Sequence, residues 1–143
     1  MTDDPTPAAP LRVLCVDDHP DTADSLGTLL SLHGYEVAVA HNGEDALAQA
    51  PGFAPQACIL DITMPGIDGN ELARRFRAEP GGNEMLLIAQ TALGDYPSLE
   101  RMADSGFDLH FAKPVELKDL LAALVEFARS GRPDAVASNG SPM

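Results

Sequence analysis

The 143-residue sequence predicts a doubly wound α/β domain, in which one parallel β-sheet lies between two layers of helices. Two observations predict this fold. Five short apolar runs alternate along the chain with five helix-like segments, and the connections between them are short. The runs at residues 13–16 and 57–60 are also continuously apolar, which is typical of central parallel strands that are covered on both faces.

The five apolar runs define the predicted strands. Each run has four or five residues and is followed directly by a polar residue, where we expect the strand to end. In chain order the predicted strands are Arg12–Val16, Glu36–Ala40, Ala57–Leu60, Met85–Ala89 and Leu109–Ala112.

The first two helices are predicted from start and stop signals. Pro20 suits the first turn of a helix, and an apolar stripe with helical spacing continues to His33. Gly34 then favours a left-handed stop. The second helix is Ala-rich and begins at an Asn42 cap. We expect it to end near residue 50, because Pro51 lacks the amide hydrogen that a helix interior needs.

Caps and apolar stripes also predict the other three helices. Asp68 and Glu71 have the spacing of a capping box, and the helix that they begin should end near the turn at Pro80. A short fourth helix is expected at about 97–104. The fifth, at about 115–129, carries leucines at helical spacing along one face.

The ends of the chain differ in composition from residues 11–129, which form the predicted domain. Residues 1–10 are rich in Pro, Ala and Asp, and residues 130–143 are rich in Ser, Gly, Pro and Asn. We therefore expect a disordered leader and a flexible tail. Cys15 and Cys58 lie within strand-like runs and are expected to be buried free thiols rather than a disulfide.

Acidic residues dominate the charge, with 22 Asp and Glu against 9 Lys and Arg and a net charge of −13. This balance argues against nucleic-acid binding, since no basic cluster could hold the phosphate backbone. It favours cationic partners or ions. No apolar stretch approaches the length of a membrane span, and residues 1–10 lack the basic start and the apolar segment that are typical of a secretory signal. We therefore expect a cytoplasmic protein that does not associate with membranes.

Charged or hydroxyl side chains follow four of the five predicted strands. Asp17 and Asp18 come after the first strand, Asp61 after the third, Thr91 after the fourth and Lys113 after the fifth. Because the carboxyl ends of parallel strands open on one edge of the sheet, we expect these side chains to converge there. Three close carboxylates raise one another's pKa unless a cation enters, and oxygen ligands with room for water suit Mg²⁺.

The same edge carries the groups that phosphoryl transfer needs. A carboxylate can act as the nucleophile and form an aspartyl phosphate, while Thr91 and Lys113 can donate to the phosphoryl oxygens. Asp61 is the candidate nucleophile, because it ends a buried run and a turn at Pro65 follows it closely. His19 is expected to be exposed, with contact to the metal site as the less favoured alternative.

Four motifs occur in order at these strand ends. They are Val-Asp-Asp ending at Asp18, Asp-x-x-Met-Pro-x-x-Asp-Gly beginning at Asp61, Thr91–Ala92 and Lys113–Pro114. With these motifs the chain resembles the receiver domain of two-component response regulators, over about residues 11–129. The resemblance implies a flavodoxin-like fold with strand order 2-1-3-4-5 and five helices.

The resemblance also implies how the acidic residues act. Asp61 would accept a phosphoryl group from the phosphohistidine of a sensor histidine kinase or a phosphotransfer protein. Mg²⁺ would be bound by Asp18, by Asp61 and by the backbone carbonyl of Thr63, while Asp17 would act through water.

The other motif residues would respond to the phosphoryl group. Lys113 would pair with Asp61 and then with the phosphoryl oxygens, and Thr91 and Ala92 would bind the phosphoryl group. The peptide bond before Pro114 is expected to be cis. One position departs from the family pattern: the Tyr or Phe that commonly serves as a rotamer switch near the Lys is replaced by His110. An imidazole can also rotate, and it titrates near neutral pH.

The favoured function is a stand-alone, non-enzymatic signalling module, because only a short tail follows the domain. A partner protein would recognise its phosphorylated state at the face formed by helix four, strand five and helix five. A phosphate shuttle or sink, or a receiver module of a hybrid kinase, stays open as an alternative. An aspartate-nucleophile phosphatase is less favoured, because those enzymes usually place two Asp two residues apart after the first strand and carry a cap region.

Overall fold

The computed structural model describes residues 10–91 and 99–132. Within these ranges strands and helices alternate in the predicted order. The strands are β1 (Arg12–Val16), β2 (Glu36–Ala40), β3 (Ala57–Asp61), β4 (Leu86–Thr91) and β5 (Leu109–Ala112). The α-helices are α1 (Pro20–Leu32), α2 (Gly43–Phe53), α3 (Gly69–Ala78), α4 (Leu99–Ser105) and α5 (Leu117–Ser130), and a 3-10 turn, Gly82–Glu84, precedes β4.

Some of the predictions fall outside the described ranges. These are nearly all of the leader (residues 1–9), Ala92, the start of the predicted fourth helix and the tail beyond Arg132. Of the helices that the structure describes, none combines the length and the apolar character needed to cross a membrane.

The five described strands form one parallel sheet in the order β2-β1-β3-β4-β5. The sequence pattern predicted the doubly wound parallel sheet, and the observed strand order is the flavodoxin-like order that the family resemblance implied. The central strands β1 and β3 are paired from Val13 opposite Ala57 to Val16 opposite Leu60. The register therefore brings the residue after β1 and the last residue of β3 to the same edge of the sheet.

Alternate side chains of the central strands enter two cores, one on each face of the sheet. On one face, Leu14 and Leu60 pack with side chains of α2, α3 and α4, among them Phe76 of α3. On the other face, Val13 and Ile59 pack with side chains of α1 and α5. Both faces of β1 and β3 are buried. This burial explains why the two strands are continuously apolar.

The two cysteines are buried and free, which confirms the prediction. Cys15 belongs to the core beneath α1 and α5, and Cys58 belongs to the core on the other face of the sheet. Burial raises the pKa of Cys15 to about 12 and also raises the pKa of Cys58. Both thiols are therefore protonated and shielded in the folded protein.

The predicted end of the second helix is wrong, because α2 continues through Pro51 to Phe53. Pro51 lies near the end of the helix, where its ring removes one amide donor and the remaining turn is still completed. Ala54 then ends the helix in the left-handed conformation (φ 54°), and its N–H donates to the Ala50 carbonyl at 2.7 Å. Helix α2 therefore ends about one turn later than predicted.

The fourth strand also differs from its prediction, since it includes Gln90 and Thr91 and ends two residues later than expected. Both residues are polar, yet both are buried and lie opposite Phe111 and Ala112 of β5. Sheet pairing, which the local composition does not reveal, extends the strand to Thr91.

An ion-pair network that the sequence did not predict joins elements at the amino-terminal edge of the sheet. The guanidinium of Arg77, near the end of α3, bonds at 2.6–3.0 Å to backbone carbonyls and to the carboxylate of Asp108. The carbonyls that accept these bonds belong to Gly82, Met85 and Gly106.

Asp108 is the centre of this network. Its side chain is 2% exposed; Oδ2 accepts from Arg77 at 2.8 Å and from the backbone N–H of Leu87 at 2.9 Å. Its Oδ1 accepts from Nε of Arg132 at 2.6 Å. The network therefore ties α3, the start of β4, the start of β5 and the chain beyond α5 together.

Candidate functional site

Three of the predicted side chains meet at the carboxyl edge of the sheet. Asp17 follows β1, Asp61 ends β3 and Lys113 follows β5. Lys113 Nζ donates to Asp17 Oδ2 at 2.8 Å and to Asp61 Oδ2 at 3.2 Å. One ammonium group therefore joins two carboxylates that reach the site from different strands.

Burial raises the pKa values of the Asp17 and Asp61 carboxylates, and the nearby Lys113 ammonium lowers them. Asp17 and Asp61 are each 2% exposed. Burial raises the pKa of Asp61 to about 6, although the N–H of Thr63 and the charge of Lys113 oppose it. At Asp17, burial is outweighed by the hydrogen bonds from Lys113 and from the N–H of His19, so its pKa lies below the ordinary value. The two carboxylates raise the pKa of Lys113 against its own burial.

The environment of Asp18 suits a cation. Its Oδ1 is buried and, within the described residues, accepts no hydrogen bond. Candidate ligand atoms of Asp17, Asp18, His19 and Asp61 lie within 4.8 Å of one another. A buried carboxylate oxygen without a donor is unfavourable unless a cation or water reaches it. The acidic cluster is therefore compatible with Mg²⁺, which favours oxygen ligands.

The loop between β3 and α3 returns tightly over the end of β3. The N–H of Thr63 donates to Asp61 Oδ1 at 3.0 Å, and Gly66 adopts a positive φ of 77°. Asp68 accepts from the N–H of Glu71 at 2.9 Å and so caps α3 as predicted. At Gly69, an added Cβ would lie 2.4 Å from the Asp61 carbonyl oxygen. Glycine is therefore required at this position for the loop to close over Asp61.

Thr91, His110 and Pro114 lie on or beside the last two strands. Thr91 is the last residue of β4, is buried, and its carbonyl accepts from the N–H of Lys113 at 2.7 Å. His110 of β5 lies opposite Ala89 and is half-buried. Its Nδ1 is buried and has no hydrogen-bond partner in the described part of the chain. The peptide bond before Pro114 is cis.

His19 contacts the acidic residues, which was the less favoured of the two alternatives from the sequence. Its ring is mostly exposed, as predicted, but Nδ1 lies 3.2 Å from Asp17 Oδ1 and 3.3 Å from Asp18 Oδ1. The signal for this contact was Pro20, because a residue before proline is kept extended and cannot turn into the helix. His19 is thus part of the acidic cluster.

The profile of the response regulator receiver domain family matches residues 13–125. Among curated proteins, response regulator MprA of Mycobacterium bovis is 33% identical over 129 residues, and MprA of Mycolicibacterium vanbaalenii is 34% identical over 134 residues. These alignments cover 90% and 94% of this chain but only 55% and 57% of the relatives. The chain therefore spans somewhat more than half the length of these relatives.

Solved structures of response regulators are also similar to this chain. A putative response regulator from Chloroflexus aurantiacus is 34% identical with a TM-score of 0.76, and the match covers 84% of this chain and 98% of the other. A CheY-like receiver domain protein from Methanospirillum hungatei is 32% identical with a TM-score of 0.71, covering 82% and 92%. Chemotaxis protein CheY4 of Vibrio cholerae is 26% identical with a TM-score of 0.75, covering 82% and 98%.

Proposed function

The chain belongs to the response regulator receiver domain family of two-component systems, and on this premise we propose that Asp61 accepts a phosphoryl group from a phosphohistidine. The donor is a sensor histidine kinase or a histidine phosphotransfer protein. The observation that carries the proposal is the pairing of buried Asp61 with Lys113 at the end of β3. Asp61 is the acceptor and not a turnover catalyst, so the chain is not an enzyme in the usual sense.

The chemistry follows from the protonation states of the two groups. With its pKa raised to about 6, Asp61 is ionised at neutral pH and can act as the nucleophile. A carboxylate oxygen attacks phosphorus, and the P–N bond of the donor breaks with its electron pair moving to the imidazole nitrogen. That nitrogen takes a proton from solvent, and Asp61 carries an acyl phosphate. Lys113, held by Asp17 at 2.8 Å, lies where it can neutralise the added charge.

Mg²⁺ is the proposed cofactor. Asp18, Asp61 and the backbone carbonyl of Thr63 would hold it directly, and Asp17 would act through water. When bound, Mg²⁺ neutralises charge on the transferring phosphoryl group. The unsatisfied Asp18 Oδ1 supports this assignment, because it is a buried oxygen without a donor among the described residues.

The output surface is proposed to be the face formed by α4, β5 and α5. Thr91 and Ala92 would bind the new phosphoryl oxygens, and His110 would take the place of the aromatic switch. Two features support the proposal: the Thr91 carbonyl accepts from the N–H of Lys113, the residue that follows β5, and the buried Nδ1 of His110 has no partner among the described residues. A phosphorylation-dependent protein partner would bind here. The stand-alone arrangement and the cytoplasmic location stay predictions from the sequence.

The test is the intact mass of the protein after treatment with acetyl phosphate, with Mg²⁺ or with EDTA. We expect the addition of one phosphoryl group, only with Mg²⁺, and none in the Asp61→Asn variant. Asp68→Asn is the matched control, because it removes a carboxylate from the same loop and keeps the cap of α3. Unchanged labelling of Asp61→Asn would disprove the acceptor assignment. Onward transfer of the label to a second phosphotransfer protein would instead support the shuttle function.

A further inference from the structure

A cavity opens at the amino-terminal edge of the sheet, between the ends of α2 and α3. Its volume is about 340 Å³, which lies within the range of small-molecule sites in proteins. Arg12 begins β1, while Pro55 and Met85 lie in the segments that lead into β3 and β4. The cavity is therefore at the edge opposite to Asp61 and is separate from the proposed phosphoryl transfer.

The wall of the cavity is largely apolar. Leu47 and Ala50 of α2, Phe76 of α3 and Met85 belong to the core on this face of the sheet or pack against it. Of these four residues only Phe76 is fully buried, so apolar surface is exposed to water inside the cavity. A ligand group that covers this surface removes it from water, which is favourable.

Backbone bonds fix both sides of the cavity. On one side, Nε of Arg12 donates to the carbonyl of Ala54, the residue that ends α2, at 2.7 Å. On the other side, Glu79 ends α3: its N–H donates to the Phe76 carbonyl at 3.2 Å, and its carbonyl accepts from Gly82 at 2.8 Å. The cavity is thus formed before a ligand enters, which lowers the cost of ordering on binding.

Two opposite charges line the cavity without an ion-pair partner. Arg12 and Glu79 form no salt bridge with each other, and within the described ranges neither pairs with any other charged side chain. Because Nε of Arg12 is held by Ala54, its two Nη groups are the ones left to donate to a carboxylate, and Glu79 can accept from an ammonium group. The cavity therefore offers a cation, an anion and an apolar wall together.

We propose that this cavity binds a free apolar α-amino acid. Its carboxylate pairs with Arg12, its ammonium group pairs with Glu79, and its side chain covers the apolar wall. A simple acid would bring its charge near Glu79, and a simple amine would bring its charge near Arg12, so a zwitterion complements the site better than either. A zwitterion is also electrically neutral, so the net charge of −13 does not repel it. A second copy of the chain is the competing occupant.

The test is an NMR titration of the whole chain with L-phenylalanine, followed through the methyl signal of Met85. Three compounds are matched probes: 3-phenylpropanoate lacks the ammonium group, 2-phenylethylamine lacks the carboxylate, and glycine lacks the apolar side chain. Arg12→Gln and Glu79→Gln each remove one charge from the cavity. Arg129→Gln and Glu84→Gln are the controls, because both residues are exposed and neither lines the cavity.

We expect L-phenylalanine to bind with a Kd on the order of 1 mM, and each of the three probes to bind about tenfold more weakly or worse. Each cavity variant should lose about tenfold in affinity, and the control variants should bind as wild type does. Equal binding of L-phenylalanine and either phenyl analogue would overturn the assignment of a zwitterion, and no shift of the Met85 signal would overturn the site.

A Met85 signal that moved with protein concentration alone would assign the cavity to a second copy and overturn the inference. The comparison of the probes needs no substitution, so its result does not depend on whether a variant folds.

Discussion

Replacing Asp61 with Asn should stabilise the cation-free protein at neutral pH. The pKa of Asp61 is raised from the ordinary 3.8 to about 6, chiefly by burial. The folded state therefore binds a proton at Asp61 more tightly than the unfolded state does. Stability that is fully present below about pH 4 is lost as the pH rises through about 6. Asn carries no charge and avoids this loss, while its side-chain oxygen can still accept from Thr63.

The size of the stability gain follows from the pKa shift of Asp61. A difference of about two pKa units corresponds to about 3 kcal/mol above pH 6, since one unit is about 1.4 kcal/mol. Lys113 loses one of its two carboxylate partners in the variant but keeps Asp17 at 2.8 Å. We therefore expect a gain of about 1–3 kcal/mol in the free energy of unfolding at pH 8, and a smaller gain toward pH 4.

Urea unfolding in EDTA, followed by circular dichroism, measures the gain. The chain has no Trp, so the usual intrinsic fluorescence probe is absent. A gain of 2 kcal/mol should raise the urea midpoint by about 1 M. Asp68→Asn is the control, because Asn is an equivalent helix cap and the stability of this variant should be unchanged. If Asp61→Asn gave no gain at pH 8, or the same gain from pH 4 to pH 8, the argument from burial would be refuted.

Two further substitutions test the packing around the site and at the opposite edge of the sheet. Gly69→Ala should destabilise the protein by about 1–3 kcal/mol, because its Cβ would meet the carbonyl oxygen at the end of β3 at 2.4 Å. Gly52→Ala is the control, and both variants are compared by thermal unfolding. Nothing lies within 4 Å of the Cβ added at Gly52, so this variant should be as stable as wild type or more stable. A Gly69→Ala protein as stable as the Gly52→Ala control would contradict the steric argument. Asp108→Ala should cost about 3–5 kcal/mol in urea unfolding, because Arg77 would stay buried without its carboxylate. Glu126→Ala is the control, because it removes an exposed ion pair and should change the free energy of unfolding by at most about 0.5 kcal/mol. Equal losses of stability in Asp108→Ala and Glu126→Ala would show that burial of the Asp108 pair does not matter.

Strand positions and the convergence of the acidic side chains could be predicted because both depend on local patterns. The run Val13–Val16 is apolar because both faces of β1 are buried, and the polar residue after it marks the edge of the sheet. Asp61 and Lys113 are far apart in sequence, but each follows a recognisable strand. Parallel pairing alone was enough to bring them together.

The features that the sequence did not predict depend on contacts between distant segments. Arg77 looks like an ordinary surface residue of an amphipathic helix, yet its guanidinium is bonded to the carbonyl of Gly106 and to the carboxylate of Asp108, which both lie far along the chain. Thr91 is polar, and its inclusion in β4 depends on the partner strand. The end of α2 depends on whether the helix can tolerate Pro51 in its last turn, and the residue type alone does not decide this.

The two edges of the sheet differ in how freely their charged groups can rearrange. At the amino-terminal edge, the five N–H donors of Arg77 are all used, in bonds to three carbonyls and to Asp108. A shift of α3 against β4 or β5 would break several of these bonds at once and leave buried acceptors without donors.

At the carboxyl edge, by contrast, a single Lys113 ammonium is shared by two carboxylates, and a buried oxygen of Asp18 has no donor among the described residues. Fewer bonds must break there when the charge changes. The Arg77 network thus acts as a fixed anchor, and a change of charge at Asp61 is expected to move the strand ends and loops around it rather than to slide whole helices across the sheet.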